Sequence, residues 1–216
     1  MKHITLQEMV KNLSNVSDIN WGMYAFSRDP LKNKVSDSQK KEMIEKAISC
    51  GRQKAVWAME HFGTNNPKEI AKQLGLEVNS VSKGQIADRV LFALFTPPNT
   101  IDIMEEPIKK AVESLETMEI VSKETIYNLI LGHEIFHFLE EEDENIYTRT
   151  EKIVLWNLLG IKNRSTIRAL SEIAGMYFSL SLTSFPCSPF ALDVILYYNY
   201  NIAEATKIYN DIMQFS

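Results

Sequence analysis

Cysteine is scarce in this chain, and its scarcity excludes several kinds of site. The 216 residues include two cysteines, Cys50 and Cys187, which lie far apart and form no CxxC motif. Two such residues cannot build a disulfide framework or a zinc site made of thiolates. We therefore expect two reduced thiols in a cytoplasmic protein, because disulfides are rare in the cytosol.

Long apolar runs and an excess of positive charge are also missing. The N-terminus lacks the continuous apolar segment of a secretory signal, and stretches such as 91–95 are too short to cross a bilayer. Lysine and arginine total 23 against 28 for aspartate and glutamate, which gives a net charge of −5. A mildly acidic chain suits neither nucleic acid nor an anionic membrane, so we expect neither as a partner.

The composition is otherwise that of an ordinary globular protein, with 45% hydrophobic and 24% charged residues. The length fits one large domain or two small ones. We divide the chain into an N-terminal helical extension, residues 1–62, and a main domain, residues 63–216, that form one compact unit. The oligomeric state cannot be derived from these features.

Hydrophobic spacing and capping residues predict an α+β fold that is predominantly helical. Residues 1–38 are expected to form a weak helix followed by loop. The aromatic residues Trp21, Tyr24 and Phe26 are expected to pack this loop against the body of the protein. Helices are predicted at about 38–62, 67–74, 107–118, 122–141, 148 or 150 to 160, 165–182, 189–198 and 202–215. Short strands are predicted near 78–81, 89–95 and 100–104, with the second central and the third a candidate edge strand.

Residues 133–137 read HExxH, which is the strongest functional signal in the chain. Because His133 and His137 are four residues apart, both imidazoles lie on one face of a helix and can bind one metal ion. Glu134 then projects toward a metal-bound water, where it can act as general base. The segment is apolar nearly all round, so burying these three groups without partners would cost about 1 to 3 kcal/mol each. A metal site is therefore favoured over a purely structural role.

Zinc requires a third protein ligand, and no histidine follows His137. A carboxylate is therefore expected, and Glu172, in the mostly apolar helix at 165–182, is the preferred candidate. Gly175, one turn later, would let that helix approach closely. The alternative for Glu172 is an ordinary ion pair with Arg168, and Glu151 is the second candidate ligand.

The acidic run at 140–144 is expected to be a solvated helix end, since acidic residues at a helix C-terminus oppose the macrodipole. These carboxylates also follow His137 too closely to share its metal. Four side chains are candidates for stabilising an oxyanion: His61, Tyr147, Arg168 and Tyr177. The alternative for His61 is that it caps its helix.

The order of a short helix, strands, a helix with HExxH and a helix with ExxG resembles the ImmA/IrrE-type zinc metallopeptidases, in the gluzincin branch of the zincins. The similarity covers roughly residues 67–186. In the second family motif, E-x-x-A-N-x-F-A, Glu172 takes the place of the ligand glutamate and Phe178 that of the phenylalanine. Gly175 stands in place of the alanine and Met176 in place of the asparagine.

This resemblance implies a zincin-like metallopeptidase domain with a small β-sheet packed on the HExxH helix. It implies one Zn²⁺ per chain, held by His133, His137 and Glu172, with Glu134 as the catalytic base. The predicted function is zinc-dependent hydrolysis of peptide bonds in a specific protein substrate, such as a regulatory protein, since relatives cleave such proteins. The strand at 100–104, if at an edge, would bind the substrate as an added strand. The alternative is a catalytically silent protein of the same fold that binds a partner.

Overall fold

The computed structural model describes residues 4–82, 85–86, 89–115, 122–158, 161–183 and 185–216. The fold is α+β and predominantly helical, which confirms the predicted class. The helices are α1 (Leu6–Leu13), α2 (Asp18–Ser27), α3 (Asp37–Phe62), α4 (Pro67–Gln73), α5 (Glu105–Leu115), α6 (Lys123–Glu141), α7 (Tyr147–Thr150), α8 (Arg168–Thr183), α9 (Ala191–Tyr198) and α10 (Ile202–Met213). The strands are β1 (Glu77–Val81), β2 (Gln85–Ile86), β3 (Arg89–Val90), β4 (Ala93–Thr96), β5 (Thr100–Met104), β6 (Ile153–Leu158) and β7 (Ile161–Ser165).

Local capping explains where several helices begin and end. The Ser36 side chain accepts the Gln39 N–H at the start of α3, and Gly63, with φ of 67°, ends it in the left-handed region. Ser122 caps α6 in the same way. The predictions for α3, α4, α6, α9 and α10 are confirmed to within a few residues. The described part of α5 ends at Leu115, and the last residues of that prediction, 116–118, lie outside the described residues.

Close packing of α8 against both α3 and α6 builds the framework of the molecule. Glycine makes both contacts possible. A Cβ at Gly51 of α3 would collide with the carbonyl oxygen of Ala174, and a Cβ at Gly132 of α6 would lie 3.0 Å from the Cβ of Ser179. The backbone of α8 therefore runs close beside α6, which sets the position of any side chain that α8 directs toward the HExxH helix.

The N-terminal segment contains a second helix that the sequence analysis assigned wrongly to loop. The Ser17 side chain accepts the Asn20 N–H and starts α2. Glycine is one of the residue types whose accumulation between 12 and 38 predicted loop, but Gly22 faces Ile44 of α3 at a distance that excludes a side chain. Trp21 is buried, as expected, and stacks on Phe190 with 6.0 Å between ring centroids. Both α2 and α3 contact α8, and the proposed boundary at residue 62 stays a prediction.

A three-stranded sheet has the order β1–β5–β4, with β1 parallel and β4 antiparallel to β5. The predicted arrangement of these strands is wrong, because β5 is the central strand and β4 lies at the edge. The prediction of a central second strand depended on the apolar run at 89–95, but Leu91 and Phe92 of that run lie outside β4 and line a pocket. Both β4 and β5 contact α6, in agreement with a small sheet packed on the HExxH helix.

Strands β6 (Ile153–Leu158) and β7 (Ile161–Ser165) form a β-hairpin where the sequence analysis expected the end of one helix and the start of another. Strands β6 and β7 pair in antiparallel fashion, with an irregularity between Val154 and Trp156. Helix α7 is a single turn that ends at Thr150. Bulky β-formers such as Ile153, Val154 and Trp156 favour a strand once α7 has ended. Gly160, at which the helix starting at 148 or 150 is predicted to end, lies outside the described residues.

In the described part of the chain, no helix combines the length and apolar character needed to span a membrane.

Candidate metal centre

Helix α6 brings His133, Glu134 and His137 to one cleft. The two histidines are one helical turn apart, and their Nε2 atoms are 3.0 Å from each other. Both rings are largely buried, with 13% and 21% of their side-chain surface exposed. Two imidazole nitrogens directed at one point are the arrangement that the spacing of HExxH predicts.

Glu172 reaches the same point from α8. Its Oε2 lies 3.4 Å from His133 Nε2, and its Oε1 lies 4.0 Å from His137 Nε2. The three donor atoms all lie within 4.8 Å of one another. Glu151 does not belong to this group and instead interacts electrostatically with Lys46 and Tyr147. The structure thus brings together the two histidines and the preferred third candidate.

Gly175 allows this meeting of helices. A Cβ at Gly175 would lie 2.9 Å from His133 Nδ1 and 3.0 Å from its Cε1, which is too close for a side chain. The imidazole of His133 therefore packs directly on the backbone of α8. Its Nδ1 is buried and has no hydrogen-bond partner among the described residues.

The electrostatics of the group favour a cation. Burial alone raises the pKa of Glu172, but its hydrogen bond with His133 and the nearby charges of both histidines outweigh burial and lower that pKa to about 2. Glu172 is therefore ionised at neutral pH and can act as a charged ligand. For His137, burial lowers the pKa, but the hydrogen bond with Glu140 and the charge of Glu172 together raise it.

Glu140 supports His137 from the far side of the ring. Its Oε2 lies 3.5 Å from His137 Nδ1 and accepts a hydrogen bond of 2.6 Å from the Ser171 hydroxyl, which is itself 3.3 Å from that nitrogen. Only 13% of the Glu140 side chain is exposed, so the expectation of a solvated residue is wrong at this position. Burial raises the pKa of Glu140, but its interactions with His137 and Ser171 lower that pKa by more, so the net shift is downward.

The sequence analysis missed this supporting role. The available signal was the spacing of three residues between His137 and Glu140, which places both on one side of α6. The other end of the acidic run behaves as expected, because Glu141, Glu142 and Glu144 are exposed. A carboxylate behind a metal-bound imidazole fixes the ring and raises its basicity.

Glu140→Gln is expected to weaken zinc binding by roughly tenfold to a hundredfold, because a carboxylate behind a ligand histidine contributes about that much affinity. The change keeps the size of the side chain and removes its charge. The measurement is a zinc titration in competition with a chromogenic chelator. Glu144→Gln, which removes the same charge from an exposed position, serves as the control. Equal zinc affinity in the two variants would contradict a supporting role for Glu140.

Glu134 lies between the two histidines and contacts the edge strand. Its Oε2 accepts a hydrogen bond of 3.0 Å from the backbone N–H of Phe95 in β4. This N–H is directed at Glu134 rather than at β5, so the free edge of β4 faces the HExxH helix. The contact places the carboxylate at the boundary between the group of His133, His137 and Glu172 and an edge strand.

A cleft of about 930 Å³ surrounds these side chains. Its lining combines residues of β4 and α6 with residues of α8 and residues that flank the β6–β7 hairpin, such as Lys152 and Thr166. An adjoining pocket of about 200 Å³ shares His133, Glu134 and Glu172 with it and is otherwise mainly apolar. The apolar lining of that pocket is Leu91, Phe92, Ala93, Leu129, Ile130, Met176, Pro189 and Leu192.

The four oxyanion candidates occupy different places. Arg168 is exposed and lines the cleft together with the histidines. His61 stacks on Trp57, and Tyr147 lines a separate groove with Cys50. Tyr177 is buried beneath the guanidinium of Arg52. Of these four side chains, Arg168 is the one that the structure places beside Glu172.

Comparison of the chain with protein-family models, with curated proteins and with solved structures found no match. The geometry of the cleft is therefore the only basis here for a functional proposal.

Proposed function

We propose that this protein is a zinc-dependent peptidase of the zincin type. One observation carries the proposal: His133, His137 and Glu172 direct three donor atoms at one point, beside the carboxylate of Glu134 and within an open cleft. Two imidazoles and one carboxylate form the ligand set of catalytic zinc in peptidases. Structural zinc sites usually have four protein ligands, so a set of three leaves a coordination position free for water or substrate.

The donor chemistry of the site suits zinc. Glu172 is ionised, and the ring of His137 is oriented from behind by Glu140 and Ser171. The ring of His133 is oriented instead by packing against Gly175. Zinc, when bound at such a site, supplies Lewis-acid activation of water and of the scissile carbonyl.

Glu134 performs the proton transfers in the proposed reaction. Its carboxylate accepts a proton from the attacking water and then delivers it to the nitrogen of the leaving amine, so that the charge of Glu134 is restored after each turnover. The hydrogen bond from the Phe95 N–H holds one carboxylate oxygen and fixes the direction of the other. This contact also links proton transfer to the strand that borders the cleft.

Strand β4 provides the binding edge for substrate. The sequence analysis assigned this role conditionally to 100–104, but that strand is central and its hydrogen-bonding groups are used on both sides. The outer edge of β4 faces Glu134, and an extended peptide can add there through main-chain hydrogen bonds. A protein or peptide substrate therefore suits the cleft better than a small molecule.

The proposal is tested by metal analysis together with a cleavage assay. Purified protein supplied with zinc is expected to retain close to one zinc per chain, and His133→Ala and His137→Ala are each expected to lose it. The same protein is expected to cleave members of a proteome-derived peptide library, detected by mass spectrometry, and to stop when zinc is chelated. A chain that retains no metal would refute the proposal. Bound zinc without any cleavage would favour the alternative of a catalytically silent, partner-binding protein.

A further inference from the structure

The β6–β7 hairpin exposes large apolar side chains. The exposed fractions are 46% for Val154, 50% for Trp156 and 65% for Leu158. Trp156 and Leu158 are two residues apart in the regular part of β6, so they lie on one face of the hairpin. Adjacent exposed apolar side chains of this size are typical of interaction surfaces.

The same hairpin carries exposed cations. Lys152 precedes β6, and Lys162 and Arg164 belong to β7, where they lie opposite Asn157 and Val154. None of the three forms an ion pair within the part of the chain that the structure describes. The whole chain has a net charge of −5, so the positive charge of the hairpin is opposite in sign to the net charge of the protein.

The hairpin is continuous with the cleft at both of its ends. Lys152, immediately before β6, lines the cleft together with His137 and Glu172. The residues that follow β7, Thr166 and Arg168, line it as well. A chain bound along the hairpin therefore needs no long connection to reach the metal-binding group.

We propose that the β6–β7 hairpin is a substrate-recruiting surface that binds an acidic and apolar segment of the protein substrate. The inference builds on the peptidase function proposed above and adds the class of sequence that the enzyme selects. The register places Lys162 and Arg164 on the face of the hairpin opposite to Trp156 and Leu158. In an extended segment added along the hairpin, alternate side chains point to the two faces, so acidic side chains pair with the cations and apolar side chains cover Trp156 and Leu158. In the described part of the chain β6 and β7 pair only with each other, so their outer edges are open to an extended segment.

The test measures binding rather than cleavage, so that it does not depend on hydrolysis. Fluorescence anisotropy is recorded with Glu134→Gln protein and a labelled peptide in which glutamate alternates with leucine and phenylalanine. The same peptide with lysine in place of glutamate is the comparison. We expect the acidic peptide to bind roughly tenfold more tightly, and raising the salt concentration should reduce this preference.

Two hairpin variants are made in the same Glu134→Gln background. The double variant Lys162→Glu with Arg164→Glu should lose the preference for the acidic peptide. Trp156→Ser should weaken its binding by roughly tenfold, since a single aromatic residue often dominates an interface. Lys41→Glu and Trp57→Ser, exposed positions on α3, are the matched controls and should change binding by less than about twofold.

Each other outcome would overturn the inference. Equal binding of both peptides, or binding that the hairpin variants leave unchanged, would mean that the hairpin does not select an acidic segment. The hairpin variants could instead keep peptide binding and lose binding to phosphatidylserine vesicles or lose self-association. The surface would then bind a membrane or a second copy of this chain, respectively. None of these results depends on whether the wild-type protein hydrolyses peptides, so the two proposals can fail separately.

Discussion

The zinc affinity is expected to fall by at least about a hundredfold in Glu172→Ala. The change leaves only two protein ligands and removes the negative charge that balances the positive charge of the metal ion. The geometry supports this size of effect, since both carboxylate oxygens of Glu172 face the two Nε2 atoms at 3.4 Å and 4.0 Å. The measurement is a competitive zinc titration. A second readout is the rise in melting temperature on adding zinc, which should be large in wild type and nearly absent in the variant.

Glu151→Ala is the matched control for this prediction, because Glu151 was the second candidate ligand and lies outside the donor group. Its zinc affinity and its response to zinc should equal those of wild type. The competing interpretation, in which Glu172 only pairs with Arg168 on the helix surface, predicts that Glu172→Ala costs at most about 0.5 kcal/mol of stability and leaves zinc bound. A crystal structure with the Glu172 carboxylate more than about 4 Å from a bound zinc ion would support that interpretation, since ligand oxygens lie at about 2.0 to 2.2 Å.

Glu134→Gln is expected to reduce peptide hydrolysis by about two to four orders of magnitude while zinc binding and stability are kept. The glutamine carbonyl oxygen can still accept the Phe95 N–H, so β4 should remain in place. Only the capacity to accept and return a proton is lost. Steady-state hydrolysis of a peptide identified in the library assay, together with zinc analysis of the same sample, provides the measurement.

The control for Glu134→Gln is Glu142→Gln, which removes the same charge from the exposed C-terminal end of α6. That variant should hydrolyse the peptide at the wild-type rate. If Glu134→Gln were as active as wild type, the base would have to lie elsewhere. Combined loss of zinc and activity in Glu134→Gln would instead indicate that Glu134 supports the fold or the metal site.

Most of the helices could be predicted from the sequence because their signals are local. Capping by Ser36 and Ser122, and termination at Gly63, depend on residues within one or two turns of each helix end. The same signals misled at α2, where polar residues and Gly22 suggested a loop. Gly22 serves a contact with Ile44 of α3, and nothing in the neighbouring residues reports a contact between separate helices.

The sequence by itself determined the part of the site that depends on the helical repeat: His133 and His137 meet on α6 because they are one turn apart, and Glu134 directly follows His133. Only the tertiary structure decided which carboxylate joins them, because that depends on how closely α8 can approach at Gly51, Gly132 and Gly175. It also decided that Glu140 is largely buried behind His137, that β4 rather than β5 forms the open edge, and that β6 and β7 pair as a hairpin. Each of these results rests on contacts between residues distant in the chain or on burial, neither of which appears in the spacing of neighbouring residues.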